Sequence, residues 1–342
     1  MAFKDIAGNS RVKRILKMAL LRHRVPNSLL FCGPEGVGKT AMAMTLAKAL
    51  NCLTLEDDAC DACASCRAIG KASQDPEKQG LAPDVMFVAI EENKQKIAIV
   101  QTRLLKQIAY LRPMSARVRV FILRGADAMS EEASNSILKV LEEPPATSTL
   151  ILVTEKPHLV LPTIRSRCRT LEFSLVAREE IARALVAGGQ PADRANLLAF
   201  LANGSMENAL DWDWDDVLKS RQRDWDLFRA LLAGGGGADF LNKFAFVTRV
   251  MGEDDLRQTM KMFASFCRDI LLIKEHGESR YLLNPDLEEA LREAEGRWSL
   301  ERTQMCLART DSVLAGLSGN RNLNVNLQAA VTYSNFGGWN YV

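Results

Sequence analysis

At 342 residues, 47% hydrophobic and 25% charged, the chain has the length and composition for two or three domains with their own cores. A formal net charge of +2 excludes a strongly acidic or strongly basic binding protein and names no partner. No apolar run approaches the roughly 20 residues that span a bilayer. Met1-Ala2-Phe3-Lys4-Asp5 lacks the regions of a signal peptide, so a cytoplasmic protein with no membrane partner is expected.

The first 28 residues read as a basic amphipathic helix, with Val12, Ile15, Leu16, Ala19 and Leu20 at helical spacing. Six Lys or Arg and no acid lie from Arg11 to Arg24, and seven basic residues with no acid from Lys94 to Arg119. Such runs suit DNA phosphates. They suit an ordinary solvated helix face as well.

An apolar run, Leu29-Leu30-Phe31-Cys32, then meets Gly33-Pro34-Glu35-Gly36-Val37-Gly38-Lys39-Thr40 and a helical pattern from Ala41 to Leu50. This is the strand–loop–helix setting of a phosphate-binding loop. Glycines let backbone N–H groups turn inward around phosphate oxygens, and the helix N-terminus adds partial positive charge. Lys39 is expected to reach the outer phosphates of ATP, and Thr40 to ligate Mg²⁺. Hydrolysis needs, in addition, a second strand ending in a metal-holding acid. The candidate strand, Val118 to Leu123, is followed by Arg124 and Gly125, and Asp127 lies out of register. A nucleotide site with its hydrolytic half missing is the expectation.

Four cysteines follow the loop helix: Cys52, Cys60, Cys63 and Cys66. Their spacing, in a segment without a core pattern, predicts a closed Zn²⁺ site of structural type. Cys32, Cys267 and Cys306 sit in apolar patterns and are expected to be small buried side chains.

Residues 84 to 90 read as a strand, 101 to 111 as a helix, and 118 to 123 as a strand. A helix from 131 to 142, stopped by Pro144-Pro145, and a buried strand from 149 to 153 follow. Alternation of this kind implies an α/β fold with a parallel sheet covered on both faces. Thr154, at that strand's tip, is placed to sense a terminal phosphate. Ser166-Arg167-Cys168 puts an arginine on a short turn, as a finger for a neighbouring subunit's nucleotide or as a plain surface residue. Strands are not expected beyond 173. Short helices fill 176 to 210, broken at Gly188-Gly189-Gln190-Pro191 and at Asn203-Gly204. Later helices are long, and Leu256, Met260, Phe263, Cys267 and Ile270 form one core stripe. Gly234 to Gly237 reads as a flexible loop. Three histidines, His23, His158 and His276, give histidine catalysis little support.

Gly33–Thr40, the four-cysteine set, Glu142-Glu143-Pro144-Pro145 and Ser166-Arg167-Cys168, in this order, resemble the clamp-loader branch of the AAA+ ATPases. The resemblance implies an α/β AAA+ module with an inserted zinc loop over residues 1–172. It further implies a small helical lid over 173–215 and an all-α C-terminal collar domain over 220–342. It implies a place in a five-subunit ring with gamma/tau and delta subunits, meeting the sliding clamp and primed DNA through that assembly. It makes Arg167 a trans-acting arginine finger, because Ser166-Arg167-Cys168 matches the motif residue by residue. It also sets the chain apart from the hydrolysing gamma/tau subunits. Those carry an Asp-Glu pair where Arg124-Gly125 stand, and a lid arginine in the segment matching 204–210. The expected function is a ring subunit that binds ATP, with Mg²⁺, without firing it. Rival readings are an active gamma/tau-type ATPase, a P-loop small-molecule kinase and a stand-alone zinc-containing DNA-binding protein. The kinase has no use for the cysteine loop, and the last lacks aromatic interleaving.

Overall fold

The computed structural model describes residues 1–73, 83–91, 94–232, 253–275, 278–296 and 299–318. His276 and the stretch from Gly234 to Gly237 lie outside them. The chain divides into two compact units: Met1–Ile181 with Gly204–Glu207, and Ala182–Asn203 with Asn208–Val342.

The first unit is built on one parallel sheet. Its strands are β1 (Ser28–Cys32), β2 (Val85–Val88), β3 (Arg119–Arg124), β4 (Ser148–Thr154) and β5 (Arg169–Glu172), in the spatial order β2-β3-β4-β1-β5. A parallel sheet is covered on both faces, so its central strands are continuous apolar runs. Every residue of β1 and β4 is buried, as is all of β3 except Arg124. Alternation along each strand sorts these side chains into two cores. Leu29 and Phe31, Val120 and Ile122, and Ile151 and Val153 join one core with helices α1 (Ser10–Leu21) and α2 (Lys39–Leu50). Leu30, Phe121, Leu123, Leu150 and Leu152 join the other, with helices α4 (Ile99–Ala109) and α5 (Glu131–Glu142). Helix α3 (Ala64–Ser73) follows the cysteine loop. Each fully buried Leu, Ile or Phe contributes roughly 2 kcal/mol, so the two cores are what hold the strand ends in place.

Two departures from the sequence reading stand out. Ile15 is exposed while Val12, Leu16 and Leu20 turn inward, so the apolar stripe of α1 is narrower than its pattern. Strand β5 was not expected at all: Arg169, Thr170 and Glu172 are exposed and only Leu171 is buried. As an edge strand pairing only with β1, it needs one inward side chain, which leaves too short an apolar signal.

Local chemistry fixes the element ends. The Ser130 side chain caps α5, its oxygen accepting from the Ala133 N–H at 3.1 Å. The Glu142-Glu143-Pro144-Pro145 turn that stops α5 is tied to the start of β1, since the Asn27 side-chain amide donates to the Pro145 carbonyl at 3.0 Å. Ahead of β2, Asp84 accepts from the N–H groups of Met114, Ser115 and Ala116 and from Arg119, at 2.7 to 2.9 Å. Those donors overcome the opposing effect of burial and hold its carboxyl down at about 2.

Among its described residues the second unit has helices and no strand, its longer helices being Ala192–Leu201, Trp214–Leu232, Glu253–Lys274 and Leu300–Ser318, with Glu288–Glu295 between the last two. Leu256, Met260, Phe263, Cys267 and Ile270 are all buried in its core, as their spacing predicts. Trp225, Phe228, Leu291 and Cys306 join them. Asp269, fully buried, accepts from the backbone N–H groups of Leu283 and Asn284 and pins that turn to the longest helix. Among the described residues no helix is long and apolar enough to cross a membrane.

Candidate nucleotide site and cysteine cluster

The loop between β1 and α2 sits at the carboxyl end of the sheet, where open α/β folds bind ligands. Gly36 and Gly38 have φ of 68° and 88°, the left-handed region that glycine enters without strain. A Cβ on Gly33 would stand 2.3 Å from the Phe173 carbonyl oxygen, and one on Gly36 1.8 Å from the Ser205 hydroxyl. Both glycines are therefore required by close neighbours. The segment Gly204–Glu207 lies against the loop, and the Glu207 N–H donates to the Gly36 carbonyl at 3.1 Å. Asn9, which no sequence signal marked, bridges the loop from the other side. Its amide donates to the Val37 carbonyl at 3.3 Å, and its oxygen accepts from the Ser174 N–H at 2.9 Å.

Lys39 is 5% exposed, and its ammonium donates to the carbonyls of Gly33 and Pro34. Burial lowers its pKa, against the charges of Glu155, Glu35 and Glu207. Val37 is buried and Thr40 half-buried at the head of α2, while Pro34 and Glu35 are exposed. Thr154 ends β4 directly beside Cys32 of β1. Its hydroxyl donates to Asp127 at 2.6 Å and accepts from the Lys156 N–H at 3.0 Å. Asp127 thus reaches back to the strand tip from the turn after β3, a pairing across strands that linear register does not reveal. Partial burial and the charge of Glu35 raise the Glu155 carboxyl, with Lys39 opposing.

The loop conformation and the Lys39 ammonium fit a nucleotide's phosphates. The Mg²⁺ half fits less well: Thr40 offers a hydroxyl, but β3 ends in the cation Arg124 and the left-handed Gly125, with φ of 75°.

Arg167 follows the short helix α6 (Pro162–Arg165) on an exposed turn. Its guanidinium pairs with Glu142 at 2.6 Å and donates to the Thr163 carbonyl at 2.9 Å and to the Ser166 hydroxyl at 3.3 Å. Cys168 faces inward, and burial pushes its thiol up to about 12.

The four sulfurs of Cys52, Cys60, Cys63 and Cys66 all lie within 4.8 Å of one another. Backbone N–H groups point at them: Leu55 at Cys52, Cys63 at Cys60 and Cys66 at Cys63, at 3.2 to 3.4 Å. The Thr54 hydroxyl and the Cys63 and Ala62 N–H groups hold the Cys60 thiol down at about 6, whereas burial lifts Cys66 to about 12. Four gathered thiols with N–H donors are the donor set of a four-coordinate metal.

A parallel sheet with an intact phosphate loop after its inner strand β1, a cysteine cluster and a helical unit define an AAA+ module of the clamp-loader kind. The protein family described as DNA polymerase III, delta subunit, matches residues 8–177. The delta-prime subunit of DNA polymerase III from Bacillus subtilis is 28% identical over 325 residues, covering 94% of either chain. The tau subunit from the same organism is 32% identical over 180 residues, which is 52% of this chain and 30% of that protein. A gamma/tau subunit from Mycobacterium tuberculosis is 34% identical over 187 residues, or 54% of this chain and 31% of the relative. Among solved structures, a gamma-subunit-related protein from Thermotoga maritima overlaps 96% of this chain and 98% of its own at 17% identity. Its TM-score is 0.46. Residues 8–177 thus match the DNA polymerase III delta-subunit family, and over nearly its whole length the chain is similar to a delta-prime clamp-loader subunit.

Proposed function

We propose that the chain acts as the delta-prime subunit of a DNA polymerase III clamp loader. It binds ATP at Gly33–Thr40 without hydrolysing it and gives Arg167 to a neighbouring subunit's nucleotide. It works in the cytoplasm, in a five-subunit ring with gamma/tau and delta subunits that places the sliding clamp on primed DNA. Residues 1–172 form the AAA+ domain, 173–215 the lid and 220–342 the collar. Cys52, Cys60, Cys63 and Cys66 hold a structural Zn²⁺, and Thr154 faces the terminal phosphate. The observation that carries this reading is the end of β3: where a hydrolysing subunit needs a carboxylate, Arg124 and Gly125 stand. A finger needs the opposite, an accessible guanidinium on a short turn, and Arg167 meets that need.

The test is Arg167→Ala in the assembly reconstituted with gamma/tau and delta subunits. The ring is expected to form with wild-type stoichiometry while ATP turnover drops; unchanged turnover removes the finger assignment. A second reading, an independent ATPase, draws on Glu155, the acid whose charge acts most strongly on Lys39. Steady-state turnover by the purified chain, abolished by Lys39→Ala, would establish it.

A further inference from the structure

The end of β3 does more than omit a carboxylate. In register, Arg124 pairs with Val153 of β4, which in turn stands beside Phe31 of β1, two residues before Gly33. Val120 and Ile122, the alternate residues before it, point into the core beneath α2. Period-two alternation therefore sends the Arg124 side chain to that same face of the sheet, on the side of Lys39 and Thr40. It is exposed at the strand end rather than folded into the core. Adjacent strands lie about 4.8 Å apart, so β3 and β1 are separated by roughly 10 Å with the tip of β4 between them. In an Mg²⁺-dependent site a short carboxylate on the far strand bridges that gap through the ion, with metal–oxygen bonds of about 2 Å. A guanidinium on its longer stem crosses the gap directly and presents a fork of donors to phosphate oxygens.

The acids nearby do not restore a metal site. Asp127 is engaged by the Thr154 hydroxyl at 2.6 Å. Glu155 and Glu35 act on Lys39 by charge, but neither stands at the end of β3, where the metal-holding carboxylate belongs.

We propose that this site binds the polyphosphate of a nucleotide without a divalent cation, Arg124 taking the position and the charge-neutralising role of the metal. The proposal rests on the reading of Gly33–Thr40 as a nucleotide site, and adds that the site is metal-independent. It would also leave the site without the metal and the metal-holding carboxylate that hydrolysis requires.

The test is calorimetric titration of the full chain with ATP, in excess EDTA and in excess MgCl₂. Wild type is expected to bind equally well in both. Arg124→Ala is expected to lose about tenfold or more in affinity in EDTA, the worth of one charge-assisted hydrogen bond. Arg124→Asp is expected to bind only when Mg²⁺ is present. Thermal melting of both variants checks the fold; as Arg124 is exposed at a strand end, their melting temperatures should match wild type. Wild-type binding that requires Mg²⁺ overturns the proposal while leaving the nucleotide site standing, as does Arg124→Ala binding as tightly as wild type in EDTA. Absence of ATP binding in both conditions removes the nucleotide site itself, and the proposal with it.

Discussion

Asp84 shows how much of this fold depends on single polar groups. Its carboxylate, 3% exposed, collects three backbone N–H groups and the buried Arg119 guanidinium, and so orders the turn that feeds β3. Removing one member of such a buried pair leaves the other charge uncompensated. Asp84→Asn is expected to destabilise the chain by about 3 kcal/mol or more in urea denaturation. The pH dependence has a definite sign. A folded pKa of about 2, against an unfolded value of 3.8, contributes stability that is complete above the unfolded pKa and is lost as pH falls toward 2. That share is about 2 kcal/mol. The stability gap between wild type and Asp84→Asn should therefore be constant near neutrality and narrow below about pH 4. A gap independent of pH down to the acid transition would mean that Asp84 is not the titrating group.

At the level of elements, the cysteine loop has little apolar support: among the described residues its cluster is Ala59 and the cysteines themselves. Its other ties are charged. Asp58 accepts from the Phe3 N–H at 2.8 Å and pairs with Lys17 at 3.0 Å, and Asp61 pairs with Lys48 of α2 at 2.7 Å. If Zn²⁺ holds the four thiolates, Cys66→Ser should lower the bound zinc from one ion per chain. It should also speed amide exchange over residues 52–66 and at Phe3, while the amides of β1, β3 and β4 keep their protection. Full protection of the loop in a zinc-free variant would show that the charged ties suffice. How much of this was legible in the sequence follows the range of the interaction. Strands β1, β3 and β4 are apolar runs between turn residues, and the helix from Glu131 to Glu142 has a serine cap and a double-proline stop. The phosphate loop and cysteine set are written in consecutive residues. Strand β5 was hidden because an edge strand with one buried leucine looks like the basic turn before it. Asn9 bridging the loop, Asp127 on Thr154 and Glu142 on Arg167 were hidden because each joins residues far apart in sequence.

For the molecule as a whole, the question is which of the two features proposed above, the nucleotide loop or the arginine finger, would act in a clamp-loader assembly. Lys39 is buried among loop carbonyls, on a site whose second strand ends in arginine. Arg167 lies outside, held by a pair in which the arginine side chain is 34% exposed and the glutamate 48%. Exposed pairs of this kind are worth about 0.2 to 1 kcal/mol, so Glu142 orients the guanidinium without imprisoning it. A finger, by contrast, changes phosphoryl transfer by about a thousandfold or more at the site it serves. Three substitutions in this one subunit should therefore separate cleanly in the reconstituted assembly. On the proposed reading, Lys39→Ala is expected to leave ATP turnover close to wild type, because the chain's own site would not fire. Glu142→Gln should change turnover by no more than about a few-fold, the range that a sub-kilocalorie pair allows. Arg167→Ala should silence the adjoining site. The reverse order, with Lys39→Ala the most damaging and Arg167→Ala without effect, would make this chain an engine rather than a partner, and would return Glu155 to consideration as its acid.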